Sequence, residues 1–294
     1  MTNDATPRTA QLPGNDKLTA LGSRVRGNGE LTGVRSNAVR ARLRAGGTAF
    51  GVMAFDFFTP GLAPVLAAAG ADFVLLDMEH SGVSIETIKA QNAFAHAAGI
   101  VPMVRVPSCQ SHLIAPVLDA GASGIMAPLM ETRQQAETLV AACRYRPEGR
   151  RGLGFSVAHD RYTGGAAPAK IRAANDAILT IALIESERGV DNADAIMTTP
   201  GLDLAWVGHY DLSDSLGCVE DFENPRYREA LTRLEASAKR ANIPLGWLVP
   251  DGAAAQQALA RGYRCICIGH EVAVLRTALQ KEFAIARQGV TAAS

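Results

Sequence analysis

The sequence predicts a single domain folded as a (β/α)8 barrel, the TIM barrel. Eight short apolar runs alternate with longer helical patterns along its 294 residues. The runs are apolar at nearly every position, as expected of parallel strands that are covered on both faces. No Gly-x-Gly-x-x-Gly follows the first run, so an open dinucleotide-binding sheet lacks its usual marker. Eight βα units typically need about 250 residues, which this chain supplies.

The chain begins with a segment that predicts no packed structure. Residues 1–36 are rich in Gly, Asn, Thr and Arg and show no sustained helical or strand period. We expect a flexible N-terminal extension here, followed by the barrel domain at residues 37–294. Val39 and Leu43 indicate a short helix that leads into the first strand.

The predicted strands and helices then alternate in order. Between Arg144 and Asn175 the connection is longer than usual, and we expect it to form a lid over the mouth of the barrel. The strands are predicted at Ala49–Ala54, Phe73–Leu76, Val101–Val104, Gly124–Ala127, Ile178–Ile184, Leu204–Val207, Leu245–Val249 and Cys265–Ile268. The helices are predicted at Pro60–Ala69, Ile85–Ala97, Thr132–Ala141, Arg226–Ala241 and Gly252–Arg261.

Composition indicates a small-molecule enzyme rather than a protein that binds polyanions. Lys plus Arg and Asp plus Glu both number 29, so no net charge attracts nucleic acid or an anionic membrane surface. Neither a signal peptide nor a membrane-spanning run is recognisable, and we expect a cytoplasmic protein. We expect buried, reduced thiols because no Cys-x-x-Cys pair occurs; the five cysteines are Cys109, Cys143, Cys218, Cys265 and Cys267.

Charged residues gather where the predicted strands end. In a barrel of this type the carboxyl ends of the strands converge, and the loops that follow them form the active site. The strand interiors are nearly free of charge. The strand ends carry Asp77, Glu79 and His80 after the second strand, Arg105 at the third, Glu185 after the fifth, and His209 and Asp211 after the sixth.

The carboxylates at these strand ends require a positive partner, because an unpaired buried charge is costly. A divalent ion held by Glu185 and Asp211 is one solution, and two carboxylates plus water suit a hard ion such as Mg²⁺ or Mn²⁺. Pairing of both carboxylates with nearby arginines is the alternative. The spacing in the sequence leaves both open.

No lysine ends a predicted strand. A Schiff-base aldolase needs a desolvated lysine that points into the barrel, so this sequence lacks the nucleophile of that mechanism. A metal ion that polarises a 2-oxo group and stabilises the resulting enolate remains as the aldolase route. The five lysines are Lys17, Lys89, Lys170, Lys239 and Lys281.

Six motifs in order resemble the HpcH/HpaI family of class II, pyruvate-dependent aldolases, a superfamily that includes macrophomate synthase-like members. The resemblance extends over roughly residues 37 to 289. The motifs are Leu75-Leu76-Asp77-Met78-Glu79-His80, Pro102-Met103-Val104-Arg105-Val106-Pro107, Gly121-Ala122-Ser123-Gly124-Ile125-Met126-Ala127-Pro128, Arg144-Tyr145-Arg146-Pro147-Glu148-Gly149-Arg150-Arg151-Gly152, Ile184-Glu185 and Asp211-Leu212-Ser213.

The resemblance implies both a catalytic arrangement and an assembly. Glu185 and Asp211 would hold a magnesium, manganese or cobalt ion chelated by pyruvate, and Arg105 would stabilise the enolate oxygen. His80, supported by Asp77, would transfer protons. Family members are commonly hexamers, built as trimers of dimers that exchange their last helix. Residues 272–286 suit this role, although packing on the chain's own barrel explains the same apolar pattern.

Three departures from the family pattern lie at the expected substrate site. Gly208-His209-Tyr210-Asp211 stands where Gly-Pro-Ala-Asp is typical, and Leu183 stands where a glutamine often precedes the metal-binding glutamate. Gly269-His270-Glu271 replaces a turn resembling Gly-Ser-Asp. We expect Gly208, His209, Tyr210 and Leu183 to line the substrate site with Arg105. His209 and Tyr210 either face the core or contact the acceptor aldehyde.

The sequence therefore favours a class II aldehyde-lyase that cleaves or forms 4-hydroxy-2-oxo acids, with pyruvate or a related 2-oxo acid and an aldehyde as partners. Oxaloacetate decarboxylation or macrophomate synthase-like enolate chemistry is the enzymatic alternative, since both pass through an enolate. A non-catalytic barrel that binds a carboxylate ligand is the third hypothesis.

Overall fold

The barrel is closed by eight parallel strands that pair in sequence order, with the eighth strand against the first. This architecture is seen in a computed structural model that describes residues 32–288, and it confirms the predicted fold. Every predicted strand overlaps an observed one. The strands are β1 (Ala49–Ala54), β2 (Phe73–Asp77), β3 (Val101–Arg105), β4 (Gly124–Ala127), β5 (Leu179–Ile184), β6 (Leu204–Val207), β7 (Leu245–Val249) and β8 (Tyr263–His270).

Helices form the outer layer, as both faces of a parallel sheet require. All five predicted helices are present. The described residues contain further helices before β1, between β3 and β4, and after β4, β5, β6 and β8. They are α1 (Ala38–Arg44), α2 (Leu62–Ala68), α3 (Ile85–Ala98), α4 (Ser111–Asp119), α5 (Arg133–Cys143), α6 (Ala167–Ala177), α7 (Glu187–Asp191), α8 (Ala193–Met197), α9 (His209–Ser215), α10 (Pro225–Ala241), α11 (Gly252–Ala260) and α12 (Glu271–Arg287).

Local sequence signals explain where the helices start and stop. The Ser84 side chain accepts a hydrogen bond from the Thr87 amide at the start of α3, and Gly99 ends that helix with a φ of 81°. Thr132 and Gln135 form a reciprocal capping box at the start of α5. Such caps satisfy amides that have no partner within the helix, so they place each helix relative to its strand.

Large and small side chains alternate inside the barrel. Trp206 and Met103 are fully or almost fully buried there, and glycines on neighbouring strands make room for them. A Cβ at Gly246 would lie 2.1 Å from a ring carbon of Trp206, and one at Gly124 would lie 3.0 Å from Met103. All five cysteines are free, as predicted, but burial holds for only four of them, since Cys109 is half-buried.

The N-terminal end of the barrel is closed by α1. Val39 and Leu43 join the core cluster inside the barrel, and Arg40 forms a buried ion pair with Asp203, 2.9 Å from Nε to Oδ1. The predicted tail lies outside the described residues as far as residue 31. Its last part is described, and Val34 is buried against Tyr145. This end of the barrel is thus filled and paired.

The predicted lid between Arg144 and Asn175 is wrong. The segment contains α6 and packs at the N-terminal end of the barrel, opposite the mouth. Arg151 pairs with Asp119 at the end of α4 at 2.6 Å, and Arg161 donates a hydrogen bond to the Gly33 carbonyl at 2.9 Å. The reason is topological, because a connection from the end of a helix to the start of a strand lies at the amino ends of the strands.

None of the helices within residues 32–288 combines the length and apolar character needed to cross a lipid bilayer.

The Gly246→Ala substitution tests the packing of the barrel interior. The added methyl group would meet the rigid Trp206 ring, and overpacking of this kind typically costs 1 to 3 kcal/mol. We therefore expect a loss of about 2 to 3 kcal/mol in urea unfolding. Gly252→Ala is the matched control, since no atom lies within 4 Å of its Cβ position. Equal stability of the two variants would contradict this account of the core.

Candidate active site

A buried ion pair joins the carboxyl ends of β2 and β3. Asp77 and Arg105 are register partners in the sheet, and the Arg105 Nε lies 2.5 Å from Asp77 Oδ1. Asp77 also accepts hydrogen bonds from the main-chain N–H groups of Glu79 at 3.2 Å and His80 at 2.8 Å. This carboxylate therefore fixes both the guanidinium and the loop that follows β2.

The contacts of Asp77 differ from the expected support of the His80 imidazole. Its carboxylate reaches His80 only through the main chain. The imidazole itself is half exposed, and its Nε2 lies 3.8 Å from Glu79 Oε2. The residue that the aspartate holds by its side chain is Arg105. Asp77 thus positions the histidine's backbone, while the ring is half exposed beside Glu79.

Glu79 is a component of the site that the sequence reasoning did not assign. Its Oε2 lies 3.2 Å from Arg105 Nε, within ion-pair distance, but it has no hydrogen-bond partner among the described residues. Burial raises the pKa of Glu79, and Asp77 and Asp211 add to the shift, while Arg105 and His80 oppose it. Parity along the chain was the missed signal, because Asp77 and Glu79 are two residues apart and share a face.

Glu185 follows β5 and is buried at the mouth. Its Oε1 accepts a hydrogen bond from the Leu129 main-chain N–H at 2.7 Å. Its other oxygen lies against Gly208, where a Cβ would come within 2.5 Å of Oε2. Burial raises the pKa of Glu185 to about 7; the Leu129 hydrogen bond opposes this rise, and Asp211 and Glu79 increase it.

Asp211 lies in the first turn of α9, and its side chain is exposed. Its charge raises the pKa values of both Glu79 and Glu185. The two predicted metal ligands, Glu185 and Asp211, therefore belong to the same mouth. Within residues 32–288 no three or more His, Cys, Asp or Glu side chains are clustered tightly enough to form a metal site by themselves. The role of Glu185 and Asp211 as a pair of metal ligands stays a prediction.

The mouth carries more negative than positive charge. Arg105 is the cation that pairs with carboxylates there, and it already contacts Asp77 and Glu79. Glu185 and Asp211 have no ion-pair partner within the described part of the chain, so the alternative in which arginines neutralise them is not what these contacts show. The mouth therefore has more carboxylates than cations to neutralise them. Carboxylate oxygens are the ligands that a hard divalent ion prefers.

The predicted substrate-site residues take different positions. His209 is packed against Phe222 and Trp247, with ring centroids 5.6 and 6.3 Å away. Burial lowers the pKa of His209 to about 4 although Asp211 opposes the shift, so its imidazole is neutral at pH 7. The Tyr210 ring lies 4.4 Å from the His209 ring, tilted by 39°, but Tyr210 is 54% exposed. Leu183 is buried in the barrel beneath Gly208.

The eighth strand end supports the guanidinium from the other side. The Phe55 ring lies under Arg105, with 5.7 Å between its centroid and Cζ, and His270 packs edge-on against the same ring at 5.1 Å. Glu271 is buried and accepts hydrogen bonds from the main-chain N–H groups of residues 55, 56 and 57. This carboxylate ties the loop after β1 to the end of β8.

Comparisons with known proteins agree on one family. Residues 56–278 match the family model described as HpcH/HpaI aldolase/citrate lyase. A relative from Klebsiella pneumoniae, named 5-keto-4-deoxy-D-glucarate aldolase, is 36% identical over 217 residues, which are 74% of this chain and 84% of the relative.

Two solved structures are similar in fold and sequence. An HpcH/HpaI aldolase/citrate lyase family protein from Burkholderia cenocepacia has a TM-score of 0.80 and 32% identity, covering 86% of this chain and 100% of that one. An HpcH/HpaI aldolase from Desulfitobacterium hafniense has a TM-score of 0.83 and 26% identity, covering 88% and 100%. The resemblance inferred from the six motifs is confirmed.

The raised pKa of Glu185 predicts a pH-dependent cost to the metal-free protein. The folded state holds the proton up to about pH 7, whereas the unfolded carboxyl releases it near pH 4.5. The fold therefore binds more protons between these values, and stability falls as pH rises through them. Glu185→Gln removes this cost. In EDTA we expect the free energy of unfolding of this variant, measured in urea relative to that of the wild type, to increase by about 2 kcal/mol between pH 5 and 8.

Glu148→Gln is the control for this experiment, because Glu148 is exposed. Its stability should follow the wild type at both pH values. An advantage of Glu185→Gln that stays constant from pH 5 to pH 8 would show that Glu185 is not buried in the charged cluster described above.

Proposed function

The chain belongs to the HpcH/HpaI aldolase/citrate lyase family, and we propose that it catalyses a metal-dependent, reversible aldol reaction. In the cleavage direction a 4-hydroxy-2-oxo acid gives pyruvate, or a related 2-oxo acid, and an aldehyde. The observation that carries this proposal is the mouth itself. It contains two carboxylates, Glu185 and Asp211, that have no ion-pair partner among the described residues. It also contains a guanidinium nitrogen, Arg105 Nη2, that is buried and has no hydrogen-bond partner among the described residues.

Glu185 and Asp211 are the residues that we propose hold the metal, with Mg²⁺, Mn²⁺ or Co²⁺ as candidates. The fit rests on their unpaired charge and on the raised pKa of Glu185, which a nearby cation would lower. When bound, such an ion supplies Lewis-acid polarisation of the 2-oxo group. Gly208 leaves Glu185 the space for this role, since any larger residue would press on its carboxylate.

Arg105 is suited to stabilise the enolate oxygen. Its Nε is held by Asp77 and Glu79, its face rests on Phe55, and its Nη2 is left to donate to a substrate oxygen. Hydrogen-bond donors that are already in position stabilise a developing negative charge most strongly where water is excluded. A guanidinium also keeps its charge throughout, so it stabilises the enolate without taking part in proton transfer.

His80 is the residue that we propose moves the proton. Its backbone is held by Asp77, its imidazole is half exposed, and histidine is the side chain that most often serves in general acid–base catalysis. In the addition direction the methyl carbon of pyruvate loses a proton, forms the bond to the aldehyde carbon, and the former aldehyde oxygen gains a proton. Charge and atoms therefore balance within the site.

Alanine variants of the two proposed ligands test this function. Glu185→Ala and Asp211→Ala should each lower pyruvate-forming cleavage by about 10³-fold, comparable to the loss of a major transition-state contact. They should also abolish binding of Mn²⁺ in a calorimetric titration. Asp214→Ala is the matched control, because Asp214 is an exposed carboxylate on the same helix.

The same assay separates the aldol reaction from the alternatives. The protein and Mg²⁺ are incubated with oxaloacetate alone and, separately, with pyruvate and short aldehydes. Fast release of carbon dioxide without aldol product would replace the aldolase with a decarboxylase or macrophomate synthase-like enzyme. If Glu185→Ala and Asp211→Ala leave all measured activities at the wild-type background, the non-catalytic alternative is correct.

We also propose that the enzyme is a cytoplasmic homo-oligomer, a hexamer arranged as a trimer of dimers by family resemblance. Five free cysteines suit a reducing compartment. Leu275, Leu279 and Phe283 recur at intervals of four residues along α12, so they share one helix face, and each is 43 to 51% exposed. A second copy of the chain is the occupant that we propose for this face.

Charge on this face should disrupt the assembly. Leu279→Glu combined with Phe283→Glu places two carboxylates in the proposed contact, and we expect the mass measured by light scattering to fall to that of a smaller species. Gln280→Glu adds charge to the same exposed stretch of helix, outside the apolar stripe, and should keep the wild-type mass. A monomeric wild type would contradict the proposed oligomer.

A further inference from the structure

Three exposed apolar side chains follow strand ends at the mouth, beyond the carboxylates and Arg105. Leu129 lies in the segment after β4, Tyr210 in the segment after β6 and Phe57 in the segment after β1. Leu129 and Tyr210 are each 54% exposed, and Phe57 is 38% exposed. All three follow the carboxyl ends of barrel strands, which is the edge where the candidate active site lies.

Leu129 is placed here by an unusual backbone. Its φ of 50° is in the left-handed region, which a leucine rarely adopts and which glycine or asparagine enters more easily. The same residue donates its main-chain N–H to Glu185. The hydrogen bond fixes the backbone but makes no demand on the side chain. An apolar side chain at this strained and exposed position is explained by a contact with substrate.

Tyr210 forms the second wall that we infer, because it follows β6, on the other side of β5 from Leu129. Its ring lies 4.4 Å from the His209 ring at a tilt of 39° and 5.7 Å from Phe222. The neighbouring His209 packs against Phe222 and Trp247, with ring centroids 5.6 and 6.3 Å away. The typical family residues here, Pro and Ala, would offer no such flat surface. A planar substrate group would be stabilised by packing against the Tyr210 ring, since offset aromatic pairs attract each other.

The rim offers no further cation for an acidic acceptor in the segments after β4, β5 and β6. Each arginine there that follows the strand end closely is already paired with a carboxylate. The pairs are Arg133 with Glu137 at 2.9 Å, Arg188 with Glu131 at 3.6 Å, and Arg226 with Glu187 at 3.0 Å. An acceptor carboxylate would therefore add to a surplus of negative charge without a partner of its own.

From these observations we infer that the acceptor is a neutral aldehyde with an apolar, preferably aromatic, body. This inference rests on the proposed aldol function and names its second substrate class. The new bond joins the methyl carbon of pyruvate to the aldehyde carbon, with the aromatic body between Leu129 and Tyr210. The proton lost from the methyl carbon is matched by the proton that the aldehyde oxygen gains.

The test measures the two half-reactions separately. Deuterium exchange into the methyl group of pyruvate, followed by NMR with Mg²⁺ present, reports enolate formation without any acceptor. Addition of pyruvate to benzaldehyde, glyoxylate and glyceraldehyde then reports acceptor choice. Benzaldehyde probes the apolar body, glyoxylate the added carboxylate and glyceraldehyde the hydroxyl groups. We expect kcat/KM for benzaldehyde to exceed that for glyoxylate and glyceraldehyde by at least about 10-fold.

The outcomes distinguish this inference from the proposed function. Exchange together with a preference for glyoxylate or glyceraldehyde overturns the acceptor class and leaves the aldolase intact. Absence of both exchange and addition overturns the aldolase and the acceptor class together.

Variants locate the preference on the two walls. Tyr210→Ala and Leu129→Ala should each lower the ratio of kcat/KM for benzaldehyde to that for glyoxylate by about 5- to 10-fold, and Tyr210→Phe should keep it. The matched controls are Tyr162→Ala and Leu153→Ala, whose side chains are 63 and 67% exposed in the segment at the opposite end of the barrel. A ratio unchanged in both wall variants overturns the proposed contact.

Discussion

The ion pair between Asp77 and Arg105 is the interaction on which the geometry of the mouth depends. Both groups are buried at adjacent strand ends, and removal of one partner from such a pair typically costs about 3 to 5 kcal/mol. The Asp77 carboxylate also holds the amides of the loop that carries His80. Arginine, loop and histidine are thus placed by one carboxylate, which explains why their relative positions are set before any substrate arrives.

The mouth keeps a surplus of negative charge because it has few cationic side chains. Arg105 is shared between Asp77 and Glu79, and Glu185 is left with a main-chain N–H as its donor. A neutral amide stabilises a carboxylate less than a guanidinium does, so burial prevails and the pKa of Glu185 rises. Natural proteins tolerate such strain mainly at functional sites, where a ligand relieves it. The rigid barrel beneath, filled by pairs such as Trp206 and Gly246, keeps the carboxylates from moving apart.

The sequence was sufficient for the barrel and for most residues of the mouth, because both follow from periodicity. Continuous apolar runs identify buried parallel strands, and a charge directly after such a run lies at the converging ends. The sequence did not predict which side chains pair with one another, nor at which end of the barrel the long connection lies. The main-chain donor of Leu129 has no side-chain signature, and no pattern tells whether Asp77 binds an imidazole or a guanidinium. The segment from Arg144 to Asn175 was misplaced because its length was weighed without its position between a helix and a strand.

The loop after β6 contains two kinds of position, those confined by the charged groups and those that shape the wall of the site. Gly208 is confined by Glu185, since a side chain there would displace the carboxylate, and Asp211 acts electrostatically on both Glu79 and Glu185. His209 and Tyr210 lie between these two fixed positions, and their rings pack against Phe222. Substitutions at these two positions therefore reshape the wall without touching the charged groups. In the proposed reaction the pyruvate half of the site is thus constrained by electrostatics, whereas the inferred acceptor half is constrained by shape.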